Sequence, residues 1–287
     1  MSGRAQRLLL QQDSVRVVVE PEDGGAIREF TWRGREIFRT NSASGSGNPL
    51  EQACFPMVPF CNRIPFGKFN FAGRNVHVPH NWQGDAHTIH GEGWRGRWSV
   101  VDSSDRHVHL AFSGGAAGWP WPYRAEQRID VDADGVSIEL SAVNVGQESM
   151  PIMLGLHPYF AIDVRTRLRA HLPRYWAADD TSLPVTECAT PKQWGFETAG
   201  VEGLPVIDNC FSGWDGVATL LRPEWSVGLH ATGCRWLHLY RPVGQDYLCM
   251  EPQSSANGAL NRDTAEVPVL RPGERSAIGM RVAAEPR

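Results

Sequence analysis

Short stretches in which apolar and polar residues alternate dominate this chain, and turn-forming residues separate them. An alternation with a period of two is typical of strands that bury one face. No stretch of ten residues carries a convincing helical stripe. The pattern therefore predicts an all-β fold. The clearest predicted strands are 15–20, 26–32, 106–113, 125–131, 225–231, 236–240, 247–251 and 277–282.

Two tight hairpins are predicted where glycine interrupts the alternation. Asp134-Gly135 lies between two alternating runs, and Arg33-Gly34 follows the second predicted strand. Glycine tolerates the positive φ that such turns require. The Ser/Gly-rich piece 41–48 is predicted to be a loop, and 178–203 is the least regular region. No repeat or linker-like boundary divides the chain, so we expect residues 1–287 to form a single domain.

Composition and charge exclude several classes of protein. The chain has 287 residues, 41% of them hydrophobic, and a formal net charge of −4. It offers no basic face, so we expect no nucleic-acid partner. No apolar run is long enough for a membrane span or a signal peptide, which predicts a cytoplasmic protein without a membrane partner. Six cysteines without a C-x-x-C pair indicate reduced, mostly buried thiols.

Two titratable residues stand at the ends of apolar runs. His157 follows the run MPIMLGL, and Glu251 ends the run YLCM before a proline. A buried imidazole or carboxylate needs a partner or a chemical task. Each residue also has a structural interpretation: His157 as a satisfied core histidine, Glu251 as a strand-end carboxylate in water or paired with an arginine.

Three further polar residues lie in apolar or turn-rich surroundings. Arg63 in CNRIPFG suits either a structural ion pair or a ligand clamp, and Asp208 in VIDNCF ends a short apolar run. His87 and His90 are three residues apart, but no H-E-x-x-H, H-x-H or matching Cys/His cluster accompanies them. We therefore expect no metal site.

Eleven tryptophans suit a face that stacks on the C–H surfaces of a sugar, but packing in the core is the favoured interpretation for most of them.

The segments NRIPFGKFNFAGR, HTIHGEGWRGRW, GLHPYF, IDNCF and MEPQSSANGALN occur in the order and approximate spacing of a known family. Over about 62–261, the chain resembles the bacterial aldose 1-epimerases of the galactose mutarotase-like superfamily. The resemblance implies a single large twisted β-sandwich with the sugar on a concave sheet face. It also implies Glu251 as base on the C1 hydroxyl and His157 as acid at the ring oxygen, with His90, Arg63 and Asp208 holding the other hydroxyls.

Two segments depart from the better-known galactose mutarotases. Those proteins carry N-H-S-Y-F where this chain has LHPYF at 156–160, and H-G-G where it has HGE at 90–92. Proline in place of serine removes a hydroxyl, and Glu92 adds a charge. The preferred sugar therefore stays open.

The resulting expectation is a cofactor-independent mutarotase of a free aldose, active as a monomer or a homodimer. One alternative is a hexose-6-phosphate mutarotase, in which Arg74, Arg95, Arg97 or Arg235 would hold the phosphate. Another is a catalytically silent sugar-binding domain on the same fold. A lyase or glycosidase is disfavoured, because glycosidases usually need two carboxylates and the sequence offers one persuasive candidate.

Overall fold

The computed structural model describes residues 6–40, 48–115, 118–196, 200–262 and 266–287. Most of the predicted loop at 41–48 lies outside these ranges. The described residues form strands and short 3-10 helices without an α-helix. The prediction of an all-β fold is therefore confirmed.

The strands, in chain order, are β1 Leu8–Gln12, β2 Val15–Glu20, β3 Ala26–Trp32, β4 Arg35–Phe38, β5 Cys54–Met57, β6 Arg63–Ile64, β7 Lys68–Phe71, β8 Arg74–His77, β9 Thr88–Ile89, β10 Ser99–Ser103, β11 His107–Gly114, β12 Tyr123–Val131, β13 Gly135–Asn144, β14 Met150–Pro151, β15 Gly155–Ala161, β16 Arg167–Ala170, β17 Arg174–Ala178, β18 Pro184–Ala189, β19 Ile207–Ser212, β20 Val217–Leu221, β21 Trp225–Thr232, β22 Trp236–Arg241, β23 Tyr247–Gln253, β24 Val269–Leu270 and β25 Arg275–Pro286. Single-turn 3-10 helices span Pro49–Glu51, Pro65–Gly67, Gly93–Arg95, Lys192–Trp194, Val201–Gly203 and Ala259–Asn261.

Two large antiparallel sheets make up the sandwich. The larger sheet has the order β1-β2-β3-β4-β15-β23-β22-β19-β17-β18, and β5 pairs with both β3 and β15. The smaller sheet has the order β10-β11-β12-β13-β25-β21-β20-β16. One core cluster contains side chains from both sheets, among them Val17 and Phe30 from the larger and Leu110 and Ile138 from the smaller. Burial of these apolar faces holds the sheets together.

The alternation pattern located the strands well. The predicted strands 15–20 and 26–32 coincide with β2 and β3, and the others lie within β11, β12, β21, β22, β23 and β25 or differ from them by one residue. Both hairpins form, and Arg33 and Gly34 have φ of 51° and 69°. In the second hairpin the turn precedes Gly135, which begins β13 without a positive φ, so the predicted reason for this glycine is wrong. A Cβ there would instead lie 2.1 Å from the carbonyl oxygen of Val282. The region 178–203 contains the strand β18, which the pattern did not predict because none of its residues is buried.

Aromatic and sulfur-containing residues mainly fill the core. Eight of the eleven tryptophans are buried there, in agreement with the packing interpretation. All six cysteines are free, and Cys54, Cys61, Cys210 and Cys249 are buried. Among the described residues, no helix has the length and apolar character needed to cross a membrane.

Candidate active site

The antiparallel register of the larger sheet aligns a row of polar side chains. His238 on β22 is the direct partner of Glu251 on β23. On the other side of β23, Tyr159 pairs with Cys249 and Gly155 with Gln253, which puts His157 level with Glu251. Because side chains at the same level of neighbouring strands project from the same face, the three residues stand next to one another.

His157 and Glu251 are in direct contact in this row. The distance from His157 Nε2 to Glu251 Oε1 is 3.3 Å, and the two residues are only 5% and 1% exposed. The imidazole packs against the rings of Phe55 and Tyr159, with centroids 4.4 and 4.7 Å away. This packing fixes the ring so that one nitrogen faces the carboxylate.

Burial controls the protonation of this pair. It raises the pKa of Glu251 to about 7, although the nearby His238 opposes the rise. Burial also lowers the pKa of His157 well below 6.5, and His90 and His238 add to the effect. Near neutral pH, His157 is therefore a neutral imidazole with one ring nitrogen protonated.

A network of ion pairs lies beside the pair. His238 Nε2 donates to Asp208 Oδ1 over 2.7 Å, and Arg63 lies 3.4 Å from Asp208 Oδ2 and 2.9 Å from Asp85 Oδ2. Burial opposes the charge on Asp208, but His238 and Arg63 hold its pKa well below the usual range. Burial likewise opposes the charge on His238, yet Glu251 and Asp208 raise its pKa to about 10. The network therefore keeps a fixed pattern of charges in place.

His90 approaches His157 from a loop above the sheet. Its ring lies edge-on to His157, with centroids 5.3 Å apart, and its backbone N–H donates to the carbonyl of Asn62 over 2.9 Å. Burial first, and then the charge of Arg63, lowers the pKa of His90 to about 3. Gly91 makes the tight turn possible: its φ is 76°, and a Cβ there would lie 2.2 Å from the carbonyl oxygen of Val58.

A cavity of about 310 Å³ opens over these residues, at the lower end of the size range of small-molecule sites. All five predicted site residues, Arg63, His90, His157, Asp208 and Glu251, line it. The structure thus brings together segments that are distant in the sequence. The other lining residues are Leu50, Asn62, Trp82, Gly84, Asp85, Ile89, Tyr159, His238, Tyr240 and Tyr247. His87 does not line the cavity; its Nδ1 accepts from the backbone N–H of Phe66.

The extra charge of Glu92 has a structural use. Its carboxylate accepts hydrogen bonds from the backbone N–H groups of Gly115, Gly118 and Trp119 and from the hydroxyl of Tyr123, at 2.9–3.3 Å. Glu92 is not among the lining residues of the cavity. Glu92, where the galactose mutarotases have glycine, therefore anchors these described residues and does not place a charge in the cavity.

The arginines considered for a phosphate group lie elsewhere. Arg74 pairs with Glu148, Arg97 pairs with Glu22, and Arg95 donates to the carbonyl of Asn81. Neither these three nor Arg235 lines the cavity. Of the described lysines and arginines, Arg63 alone does, and two carboxylates already engage it.

One group of described side chains has the spacing of metal ligands. The ligand atoms of His157, Cys249 and Glu251 lie within 4.8 Å of one another, and all three residues are buried. Imidazole nitrogen, thiolate sulfur and carboxylate oxygen are zinc ligands, but burial raises the pKa of the Cys249 thiol well above its usual value, which disfavours the thiolate. A metal ion there would engage both His157 and Glu251, the two residues in contact at the cavity wall.

Comparisons with known proteins concern the family and the fold of the chain. The sequence model of the aldose 1-epimerase family matches residues 6–283. The Escherichia coli K12 protein YphB, described as uncharacterized, is 29% identical over 280 residues, which are 93% of this chain and 95% of YphB.

Solved structures share the fold. The crystal structure of the Escherichia coli K12 protein b2544 has a TM-score of 0.90 and 28% identity, covering 98% of this chain and 99% of that one. A galactose mutarotase-like protein from Clostridium acetobutylicum has a TM-score of 0.88 and 20% identity, covering 98% and 95% of the two chains. At 20% identity the likeness concerns the fold alone.

Proposed function

The chain belongs to the aldose 1-epimerase family, and from this premise we propose that it is a mutarotase that interconverts the α and β anomers of a free aldose. The observation that carries the proposal is the contact between His157 Nε2 and Glu251 Oε1 at the wall of a cavity of sugar-compatible size. Mutarotation needs a proton acceptor and a proton donor at two oxygens bonded to the same carbon. Two groups 3.3 Å apart are suitably placed for both.

Sugar binding is proposed to use the polar network and the aromatic walls. Arg63, Asp208 and His90 bond the hydroxyls that do not react, and Trp82 packs against the C–H surface of the ring. Arg63 and Asp208 neutralise each other in part, which suits a neutral ligand. Neutral His90 can donate to one hydroxyl or accept from another.

Ring opening moves one proton at each of two oxygens. The carboxylate of Glu251 takes the proton of the C1 hydroxyl while His157 gives its Nε2 proton to the ring oxygen. The bond between C1 and the ring oxygen breaks, and C1 becomes the aldehyde carbon. Rotation about C1–C2 then presents the other face of the aldehyde. On closure, Glu251 returns its proton to the C1 oxygen, and His157 recovers one from the attacking hydroxyl.

The reactive form of the pair is accessible from the form that burial favours. A Glu251 carboxylate with a His157 imidazolium holds the same number of protons as a neutral Glu251 with a neutral imidazole. Interconversion therefore needs one proton transfer between contacting atoms. If acid and base each contribute roughly 10²–10⁴ in rate, together they lower the barrier by about 5–11 kcal/mol.

The wild-type protein should accelerate anomer exchange of at least one free hexose or pentose, measured by NMR saturation transfer against buffer blanks. The matching 6-phosphate should have a kcat/KM at least about tenfold lower, because Arg63, the one described arginine that lines the cavity, is already paired. Faster turnover of the phosphate ester would support the hexose-6-phosphate alternative. Binding of sugars without acceleration of any of them would support the silent domain.

A further inference from the structure

A second cavity, of about 580 Å³, lies at the other end of the central strand β15 and shares no lining residue with the candidate active site. It is lined by the loop before β16, by β16 itself, by the turn after β20 and by Arg287, which follows β25. Arg222, one of its lining residues, donates to the carbonyl of Ala161 on β15. Ala161 is four residues, or about 13 Å, along the strand from His157.

Positive charge dominates this cavity. Arg165, Arg167, Arg222 and Arg287 line it, together with Val164, Gly200, Leu221 and Pro223, so none of the described lining residues is acidic.

Two acidic residues adjoin Arg165 and Arg222 in the sequence, Asp163 and Glu224, and Asp163 compensates one of the four arginines. Asp163 lies 3.6 Å from Arg165 and accepts from the hydroxyl of Thr166, while Glu224 pairs with Arg35 at 3.4 Å. Arg167 forms no salt bridge with any other described residue. Of the four arginines only Arg165 has a salt-bridge partner among the described residues, so arginines outnumber acidic partners in the described part of the cavity.

Arg222 is the most constrained of the four arginines. It is 5% exposed, its Nη2 donates to the carbonyl of Ala161, and its guanidinium stacks on the ring of Trp225, 4.1 Å from the centroid. Nη1 is buried without a hydrogen-bond partner among the described residues. Burial lowers the pKa of Arg222 to about 10, and Asp163 offsets only part of that shift. Buried donors are normally paired, so this arginine is built for an additional acceptor.

We propose that this cavity binds a small molecule that carries at least two phosphoryl groups. Guanidinium groups bind phosphate oxygens in bidentate pairs, and four of them exceed what a single phosphoryl group would need. The volume is within the range of small-molecule sites and larger than an inorganic anion fills. Leu221, Pro223 and Val164 supply apolar surface for the remainder of an organic phosphate.

The test is calorimetric titration with inorganic pyrophosphate and with ADP, each at low and at physiological salt. The variant Arg165→Gln/Arg167→Gln removes two exposed arginines of the cavity and spares Arg222, which anchors β15. It should weaken binding at least about tenfold. Arg169→Gln is the control, because Arg169 is exposed on the same strand but does not line the cavity. It should change the dissociation constant by less than about twofold.

Tighter binding of ADP than of pyrophosphate would identify an organic phosphate as the occupant, and equal binding would identify the phosphoryl groups alone. The variant Arg63→Ala should keep its affinity for pyrophosphate, since Arg63 belongs to the other cavity. Three results would overturn the proposal: no binding of either compound at millimolar concentration, an equal loss in the double and the control variants, or a loss in Arg63→Ala alone.

Discussion

Burial of His157 and Glu251 decides which protons the candidate active site holds. The carboxyl group loses its proton only near pH 7, and the imidazole gains one only well below pH 6.5. Between those limits the pair carries a single proton in total. The proposed reaction needs that one titratable proton, because His157 must be protonated while Glu251 is deprotonated.

This protonation predicts the pH dependence of kcat/KM. Activity should be level just below pH 7 and fall about tenfold per pH unit above it, as the pair loses its last proton. On the acid side, the decline should begin well below pH 6.5, where His157 takes up a second proton. The check is the rate from about pH 4 to about pH 9, with buffer blanks at each point. A rise in activity through pH 7 would contradict the single-proton form.

Substitution of Arg63 should affect binding more than chemistry. Arg63→Ala removes a partner of two carboxylates and a donor to the sugar, so KM should rise at least about tenfold while kcat falls much less. Arg97→Ala is the matched control, since that arginine is exposed and pairs with Glu22. An unchanged KM in Arg63→Ala would remove Arg63 from the binding role.

The sequence marks some site residues and conceals others. His157 and Glu251 stand out because each follows a continuous apolar run, where a titratable side chain is unexpected. His238 is as buried as they are, but in WLHLYR it occupies a polar position of an ordinary alternating strand. Only the pairing of β22 with β23 reveals that it faces Glu251. The aromatic residues of the cavity are hidden among many that fill the core.

At the level of elements, strand register assembles the site. β22 and β23 follow each other in the chain, but β15 and β19, which flank them in the sheet, come from earlier segments. Hydrophobic alternation predicts each strand and its buried face, but the same pattern fits many partners, so neither the neighbours nor the register can be derived from it. The weakly amphipathic strand β18 escapes prediction for a related reason, because it buries too little to leave a pattern.

The loop held by Glu92 gives a prediction at this scale. Glu92→Gln replaces one acceptor oxygen by a donor and leaves part of a four-donor set unpaired, so the free energy of unfolding should fall by about 2–4 kcal/mol. Because Glu92 does not line the cavity, kcat of the folded protein should stay within about twofold. Denaturant titration measures the change.

Glu22→Gln is the control for that experiment, because it removes a surface ion pair and should cost less than about 0.5 kcal/mol. Equal stability of the two variants would refute the anchoring role of Glu92.

For the whole molecule, the fold class can be predicted from the sequence, whereas the order of the strands in the sheets and the positions of the cavities cannot. Strands with one buried face must pair and then cover that face, which leads to packed sheets. The order of the strands and the two cavities arise from contacts between distant segments. The arginine-lined cavity illustrates this, since its four arginines come from three separate parts of the chain and no motif joins them.

The central claim is that His157 and Glu251 exchange protons with the two oxygens on C1. Its most direct test is the anomer exchange rate of Glu251→Gln and His157→Asn, by saturation transfer NMR, on the sugar that the wild-type protein turns over best. Each substitution should lower kcat at least about a hundredfold while sugar binding stays measurable. A rate like that of the wild type in either variant would contradict the account.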